Sequence, residues 1–395
     1  MRCQECHRPG QIAPMPFLTY TQTRPWAKAI REAVLTKKMP PWFAEPGFGP
    51  FANDRSLSKQ EIQTLVAWVE SGAAEGNSTE GHLKAAPPPR RWVEGWDIGR
   101  PDSVIEMPNA FRVPAKGDVD YQYIVVPTGF TEDKWVQMSE LRAGDPAVVH
   151  HAVVYIREPG SKWLPDAKPG IPYVPAGQTA RERLLNGSTT SDILMVYAPG
   201  NIPERWPSGL AKFIKAGSDL VFQMHYTPTG HATSDQSRAG IVFAHTTPGR
   251  RVITLQLGND RFIIPPGDPN HRVEAWGTLP NDATLLSFFP HMHLRGKSFE
   301  YNIIETDNRR TLLRVQPYNF HWQLSYRLKQ PLLLKAGTKI ECVAYYDNSR
   351  NNPNNPDPEE AVRFGPQSWE EMMIGFFDVA IDAHIDKQAF FIRRP

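Results

Sequence analysis

The sequence has no apolar run of the roughly 18 residues that a membrane-spanning helix needs, and no long block of one charge sign. Its 44 basic and 42 acidic residues are interspersed, so no nucleic-acid footprint or membrane-surface patch stands out. Cysteine is scarce: three in 395 residues cannot staple a disulfide scaffold, so the domains must stand on their packing. An obvious carboxylate pair or a Ser-His-Asp pattern is lacking too, which leaves no sequence-level case for glycosidase or serine-hydrolase chemistry. What is plentiful is punctuation. Thirty-eight prolines and 28 glycines separate many short runs of Val, Ile, Phe and Tyr, which predicts a mainly β protein of two or three domains.

Two of the three cysteines lie in Cys3-Gln4-Glu5-Cys6-His7, the pattern by which haem c is attached through two thioethers, with His7 as axial ligand. Residues 1–77 are also where helical patterns prevail. Trp26, Ile30, Val34 and Leu35 recur at helical spacing; Ser58 and Glu61 form a capping box for a second helix, which Gly72 is placed to end. A six-coordinate haem wants a soft thioether opposite the histidine, and Met39, in Lys38-Met39-Pro40-Pro41-Trp42, is the first candidate, Met15 the second. Covalent haem is attached outside the cytoplasm, so an exported protein, periplasmic or extracellular, is expected. With Met1 two residues before Cys3 there is no room for a signal peptide, and the chain is expected to lack its natural start.

Residues 78–97, with Pro87-Pro88-Pro89-Arg90-Arg91, read as a semi-rigid linker. Beyond it, strand-like runs and turns alternate in two sandwich-sized blocks, 98–250 and 251–395. The polar stretch from Asn348 to Pro358 is long enough for a structural or lid role.

The chemistry concentrates in histidines. The apolar run Thr284-Leu285-Leu286-Ser287-Phe288 leads into Phe289-Pro290-His291-Met292-His293, and on a strand His291 and His293 share a face, ready to hold one ion. Neighbours such as His150 and His151 face opposite sides of a regular strand, so both can bind one ion only at a strand end or a bulge. His225, in Gln223-Met224-His225-Tyr226, could close a three-histidine site with them. The pair His291 and His293 leaves room for a different donor, for which Met372 or Met373 fits. Imidazole with thioether suits copper cycling through Cu(I), whereas structural zinc would more often recruit cysteine. His82, His231, His245, His271, His321 and His384 read as core, rim or surface residues.

The ordered set His-His, Gln-x-His-Tyr, His-x-His followed by Gly, then Glu-Met resembles the copper type II, ascorbate-dependent monooxygenases, the group of the peptidylglycine α-hydroxylating and dopamine β-hydroxylating enzymes. The resemblance covers roughly residues 98–395. It implies two tandem jelly-roll β-sandwiches, each with one copper ion. His150, His151 and His225 would bind the electron-transfer copper; His291, His293 and Met372 would bind the copper that meets dioxygen and does the chemistry. The front part is similar to a small α-helical cytochrome c domain, an arrangement like bacterial fusions of haem c with this module. Implied partners are a small-molecule or apolar substrate, dioxygen, and an electron donor, either ascorbate or a redox protein. Two departures matter. Cys342 has no partner once haem takes Cys3 and Cys6, and Phe289, Ile374 and Phe376 stand where the peptide-amidating enzymes hold a substrate carboxylate, so a glycine-extended peptide is not expected. The rival readings are a zinc or iron site on the same histidines, and a non-catalytic cytochrome c carrier joined to copper-binding sandwich modules.

Overall fold

In a computed structural model of the chain, residues 2–76, 95–175, 192–305 and 308–390 are described; the expected linker lies almost entirely outside them. Strand makes up 41% of the chain and helix 9%, so the protein is mainly β. Contacts divide it into two units, one of residues 1–42 and 54–99, the other of residues 43–53 and 100–395.

The first unit carries the helices α1 (Tyr20–Thr23), α2 (Ala27–Leu35) and α3 (Lys59–Glu70). The capping box of α3 is complete: the Glu61 N–H donates to Ser58 Oγ (3.2 Å) and the Ser58 N–H donates to Glu61 Oε2 (2.7 Å). Gly72 takes φ +96° just past its end, a conformation that a residue with a Cβ adopts only under strain.

The second unit holds the strands. In chain order these are β1 (Ser103–Glu106), β2 (Phe111–Val113), β3 (Gln122–Pro127), β4 (Lys134–Arg142), β5 (Val149–Arg157), β6 (Asp192–Tyr197) and β7 (Glu204–Arg205). Next come β8 (Leu210–Ile214), β9 (Asp219–Tyr226), β10 (Thr233–Asp235), β11 (Arg238–Phe243), β12 (Arg250–Asn259), β13 (Ile263–Ile264) and β14 (His271–Thr278). The last are β15 (Ala283–His291), β16 (Gly296–Glu305), β17 (Asn308–Val315), β18 (Tyr326–Leu334), β19 (Lys339–Tyr346), β20 (Val362–Arg363) and β21 (Met373–Asp382).

One nine-stranded sheet runs through both halves of this unit in the order β1-β11-β4-β8-β12-β21-β15-β18, with β7 beside β4. Its two halves are joined by a short parallel pairing, Arg250 with Leu210 and Arg251 with Ala211. The four-stranded sheet β3-β9-β5-β6 packs on the first half through a core that includes Ile124, Val154, Phe222, Val136 and Ile241. The four-stranded sheet β14-β19-β16-β17 packs on the second half, where Phe288 of β15 meets Tyr301 of β16 at 4.7 Å between ring centroids. Two-sheet packing of this kind buries alternate residues of each strand.

β3 is buried on both faces, which is why Tyr123–Val126 reads as an unbroken apolar run instead of alternating with polar residues. Ile124 joins the core between the sheets. Tyr123 and Val125 join a second cluster with Val153, Tyr155, Trp163 and Val221, against which Phe376 of β21 packs. That second face forms one wall of the site.

Candidate functional site

His150 and His151 lie near the start of β5, which pairs antiparallel with β9 so that Val149 faces Tyr226 and His151 faces His225. The register shifts between Val149 and His151, leaving His150 as the extra residue of a β-bulge. The bulge lets two neighbouring side chains turn to one side, as their sharing of an ion requires. The Nδ1 atoms of His150 and His151 are 3.0 Å apart, and those of His225 and His151 3.3 Å. One ligand atom from each of the three rings lies within 4.8 Å of the others, so the group can hold a metal ion.

Second contacts fix which ring atoms face inward. The His151 Nε2 is 3.1 Å from the Tyr121 hydroxyl, and Tyr121 stacks on His225 at 4.7 Å. The His150 ring stacks on Phe320 at 4.6 Å, and its Nε2 is buried with no hydrogen-bond partner. Burial, then the neighbouring imidazoles, pushes His150 down to about 3 and holds His151 well below the usual range; burial likewise takes His225 down to about 4. At neutral pH all three rings are uncharged and offer lone pairs.

His291 is the last residue of β15, and His293 lies just beyond it, with ring centroids 5.2 Å apart and planes perpendicular. His291 Nδ1 is 2.7 Å from Gln323 Oε1, a contact that assigns the proton to Nδ1 and leaves Nε2 as the lone-pair nitrogen. His293 Nδ1 faces the Glu370 carbonyl at 3.3 Å, and its Nε2 is buried without a partner. Burial lowers His291 to about 4 and His293 well below its ordinary value.

The turn after β15 is clamped from beneath. The Glu371 carboxylate accepts the backbone N–H groups of His293 (2.9 Å) and Arg295 (2.6 Å). Desolvation pushes Glu371 up to about 8 despite those N–H groups and the Arg295 charge. Arg295, 1% exposed, donates from Nε to Asn348 Oδ1 (2.8 Å) and from Nη1 to the Trp369 carbonyl (2.6 Å). The polar stretch that begins at Asn348 therefore serves as a structural clamp. Gly296 closes the turn where a Cβ would lie 2.8 Å from the Tyr318 ring and 2.9 Å from Met292 Cβ, so the glycine after the histidine pair is required by close packing.

Met372 directly follows Glu371 and lines a cleft shared with His151 and His291, whereas Met373 is fully buried and does not line it. The two histidine sets adjoin: the rings of His151 and His291 are 5.7 Å apart, and Phe320 touches both His150 and His293. All six residues singled out on the two sandwiches thus surround one locality. Tyr121, Phe320, Gln323 and Glu371 were not legible as site residues. Only Glu371 carried a signal, its place beside Met372; the others come from segments with no distinctive spacing.

In the first unit, the His7 N–H donates to the Cys3 carbonyl (2.9 Å), a turn that brings the motif's cysteines and histidine into one short loop. His7 Nδ1 is 3.0 Å from the Met15 carbonyl, and the ring stacks on Phe17 at 4.1 Å. Met39 is half-buried beyond the end of α2, its N–H donating to the Ala33 carbonyl (3.2 Å).

No family model matches the chain, and no curated protein does. Among solved structures, it is similar to the infectious bursal disease virus Gt strain (9% identity, 73% of this chain and 72% of that one, TM-score 0.21). Others are the VP2 subviral particle of the same virus (10% identity, 73% and 74%, TM-score 0.21) and Bacillus subtilis oxalate decarboxylase (8% identity, 72% and 78%, TM-score 0.14). Likenesses this weak carry no argument about fold or function.

Proposed function

We propose that the chain is a copper-dependent monooxygenase: a substrate C–H bond, dioxygen, two electrons and two protons give the alcohol and water. The observation that carries this reading is the gathering of five uncharged histidines in one locality, with His151, His291 and the Met372 thioether lining one cleft, the Nδ1 atoms of His150, His151 and His225 converging, and the His293 Nε2 buried and unpartnered. A buried nitrogen without a partner costs about 1–3 kcal/mol, a cost that a metal bond at the same atom would offset. His150, His151 and His225 would hold one ion, and His291, His293 and Met372 the other. Bound there, copper supplies one-electron redox chemistry and a position for dioxygen, and the thioether favours its reduced form.

The chain's own residues prepare the site. Gln323 and the Glu370 carbonyl fix the tautomers of His291 and His293, Glu371 holds the turn that carries His293, and aromatic walls exclude water. The two-sheet halves fit the jelly-roll type. The His7 environment suits an axial ligand of haem c, since its Nδ1 is taken by a backbone carbonyl, and Cys3 and Cys6 would make the thioether links. Met39, or failing it Met15, would complete that haem. Electrons would come through the haem or from a reductant such as ascorbate, in an exported protein, periplasmic or extracellular.

Copper stoichiometry with electron paramagnetic resonance of the oxidised protein tests the class. Two type II copper ions per chain are expected, with dioxygen uptake in the presence of ascorbate that is lost in His291→Ala. Zinc or iron as the tightly held metal overturns the reading. Two coppers without dioxygen uptake would favour the non-catalytic electron carrier.

A further inference from the structure

The cleft beside His151, His291 and Met372 encloses about 70 Å³. Most of its other walls are apolar or aromatic, among them Tyr123, Tyr155, Trp163, Phe289, Ile374 and Phe376. Among the described residues, no Asp, Glu, Lys or Arg side chain lines it. A ligand carrying a full charge would lose its hydration there and meet no counter-charge, at a cost of several kcal/mol per ion. The volume is below the roughly 150 Å³ of an engineered cavity that accepts benzene, so the cleft grips one end of a ligand and leaves the rest outside.

Two glutamines line the wall; Gln323 is engaged by His291 Nδ1 (2.7 Å) and by the Phe320 carbonyl (3.3 Å), which leaves Gln223 as the amide that faces a ligand. Gln223 donates from Nε2 to the Tyr123 hydroxyl (2.6 Å) and accepts at Oε1 from the Tyr155 hydroxyl (3.5 Å). Each end of the amide is held by a tyrosine, so its orientation is set. A glutamine amide has two N–H groups and two lone pairs, and one of each stays available for a ligand. Gln223 faces Tyr123 across the β3–β9 pairing and lies two residues before His225 on β9, so it shares that residue's face at about 7 Å along the strand.

We infer that the cleft takes the uncharged, apolar or aromatic end of a small molecule bearing one hydroxyl or carbonyl group, which Gln223 reads. The bound end then lies toward His151 and His291, and the rest of the ligand outside the cleft. That the bound molecule is the substrate rests on the monooxygenase reading; that it binds does not.

The test uses the metal-free full chain and ligand-observed NMR titration with four matched probes: benzyl alcohol, toluene, benzoate and benzylammonium. Benzyl alcohol is expected to bind at least tenfold more tightly than either charged probe. Gln223→Leu should weaken the alcohol about 3- to 10-fold and leave toluene unchanged; Gln223→Met, closer in shape, should do the same and guards against misfolding. Equal or tighter binding of a charged probe overturns the inference, as does an equal loss of alcohol and toluene in both variants. Alcohol binding without dioxygen uptake in the copper-loaded chain would sink the oxygenase reading alone. Uptake with no preference for the neutral probe would sink this inference alone.

Discussion

The imidazoles of His151 and His291, from strands in different halves of the β unit, lie with ring centroids 5.7 Å apart and planes inclined at 69°. That is little more than the 4.8 Å between His151 and His225, which face each other on paired strands. Two cations held by these neighbouring sets would repel at short range in a poorly hydrated setting. Copper titration of the metal-free protein is therefore expected to show two steps of unequal affinity. His150→Ala or His225→Ala should remove one ion and leave the other; loss of both from either change would mean a single shared centre.

Gln323 acts on the site through His291. Replacing it with Leu removes the acceptor at 2.7 Å from Nδ1 and frees the ring to change tautomer and rotate. Metal affinity of the His291, His293 and Met372 set should fall about 10- to 100-fold, as for other second contacts of ligating histidines. Competition with a calibrated copper chelator measures it, and unchanged affinity would remove Gln323 from the site.

Met372→His should keep copper bound but greatly lower turnover, because the harder nitrogen ligand shifts preference away from Cu(I). Met373→Leu is the control: its side chain is fully buried and does not line the cleft, so its effect should be confined to stability, at under about 1.5 kcal/mol. Equal loss of turnover in both would count against Met372 as a ligand.

The metal-free protein should be acid-labile. His150 falls to about 3 and His225 and His291 to about 4, all below the ordinary 6.5, so the unfolded chain takes up protons first as the pH drops. Stability should decline from about pH 6.5 towards 4, the histidines outweighing Glu371, whose carboxyl is raised to about 8 and lowers stability as the pH rises towards that value. Urea midpoints at pH 7.5, 5.5 and 4.5 read this directly, and a constant midpoint would contradict it. Bound metal should move the decline to lower pH.

Lys212 is 3% exposed and crosses the join between the two halves of the long sheet. Its Nζ donates to the Ile193 carbonyl (2.7 Å) and to Thr254 Oγ1 (3.0 Å), and lies 3.5 Å from Asp378 Oδ1. Asp378→Ala removes the carboxylate nearest that ammonium, together with the acceptor of the Thr254 and Ser287 hydroxyls, and should destabilise by about 3–5 kcal/mol. The double variant Lys212→Met with Asp378→Ala should recover part of that loss, as calorimetry would show.

Much of the β unit was legible because its strands are apolar runs bounded by Gly and Pro, and so was the need for a strand end or a bulge at His150 and His151, of which the structure has the bulge. The join was not. β8 carries Lys212 at its centre, and β12 opens with Arg250 and Arg251, so neither reads as buried strand. Their charges are tolerated only because partners arrive from elsewhere, such as Asp192, 2.6 Å from Arg251. The adjacency of the two histidine sets depends on that join, and no local pattern announces it. The pair His291 and His293 was expected on one strand face; β15 stops at His291, and it is Glu371, 78 residues beyond His293, that holds the following turn.

β21 lies between β12 and β15 in the long sheet, yet follows both, and every other strand of that sheet, in chain order. During synthesis β12 and β15 must wait with unpaired edges until β21 is made, and it then inserts between them. Such a sheet forms slowly, since its central contacts close over long stretches of chain. Met372 immediately precedes this late strand, so the proposed metal pocket cannot be finished early. A half-made chain would offer histidines to metal without the thioether that completes the set, and loading is best deferred until the whole unit has closed.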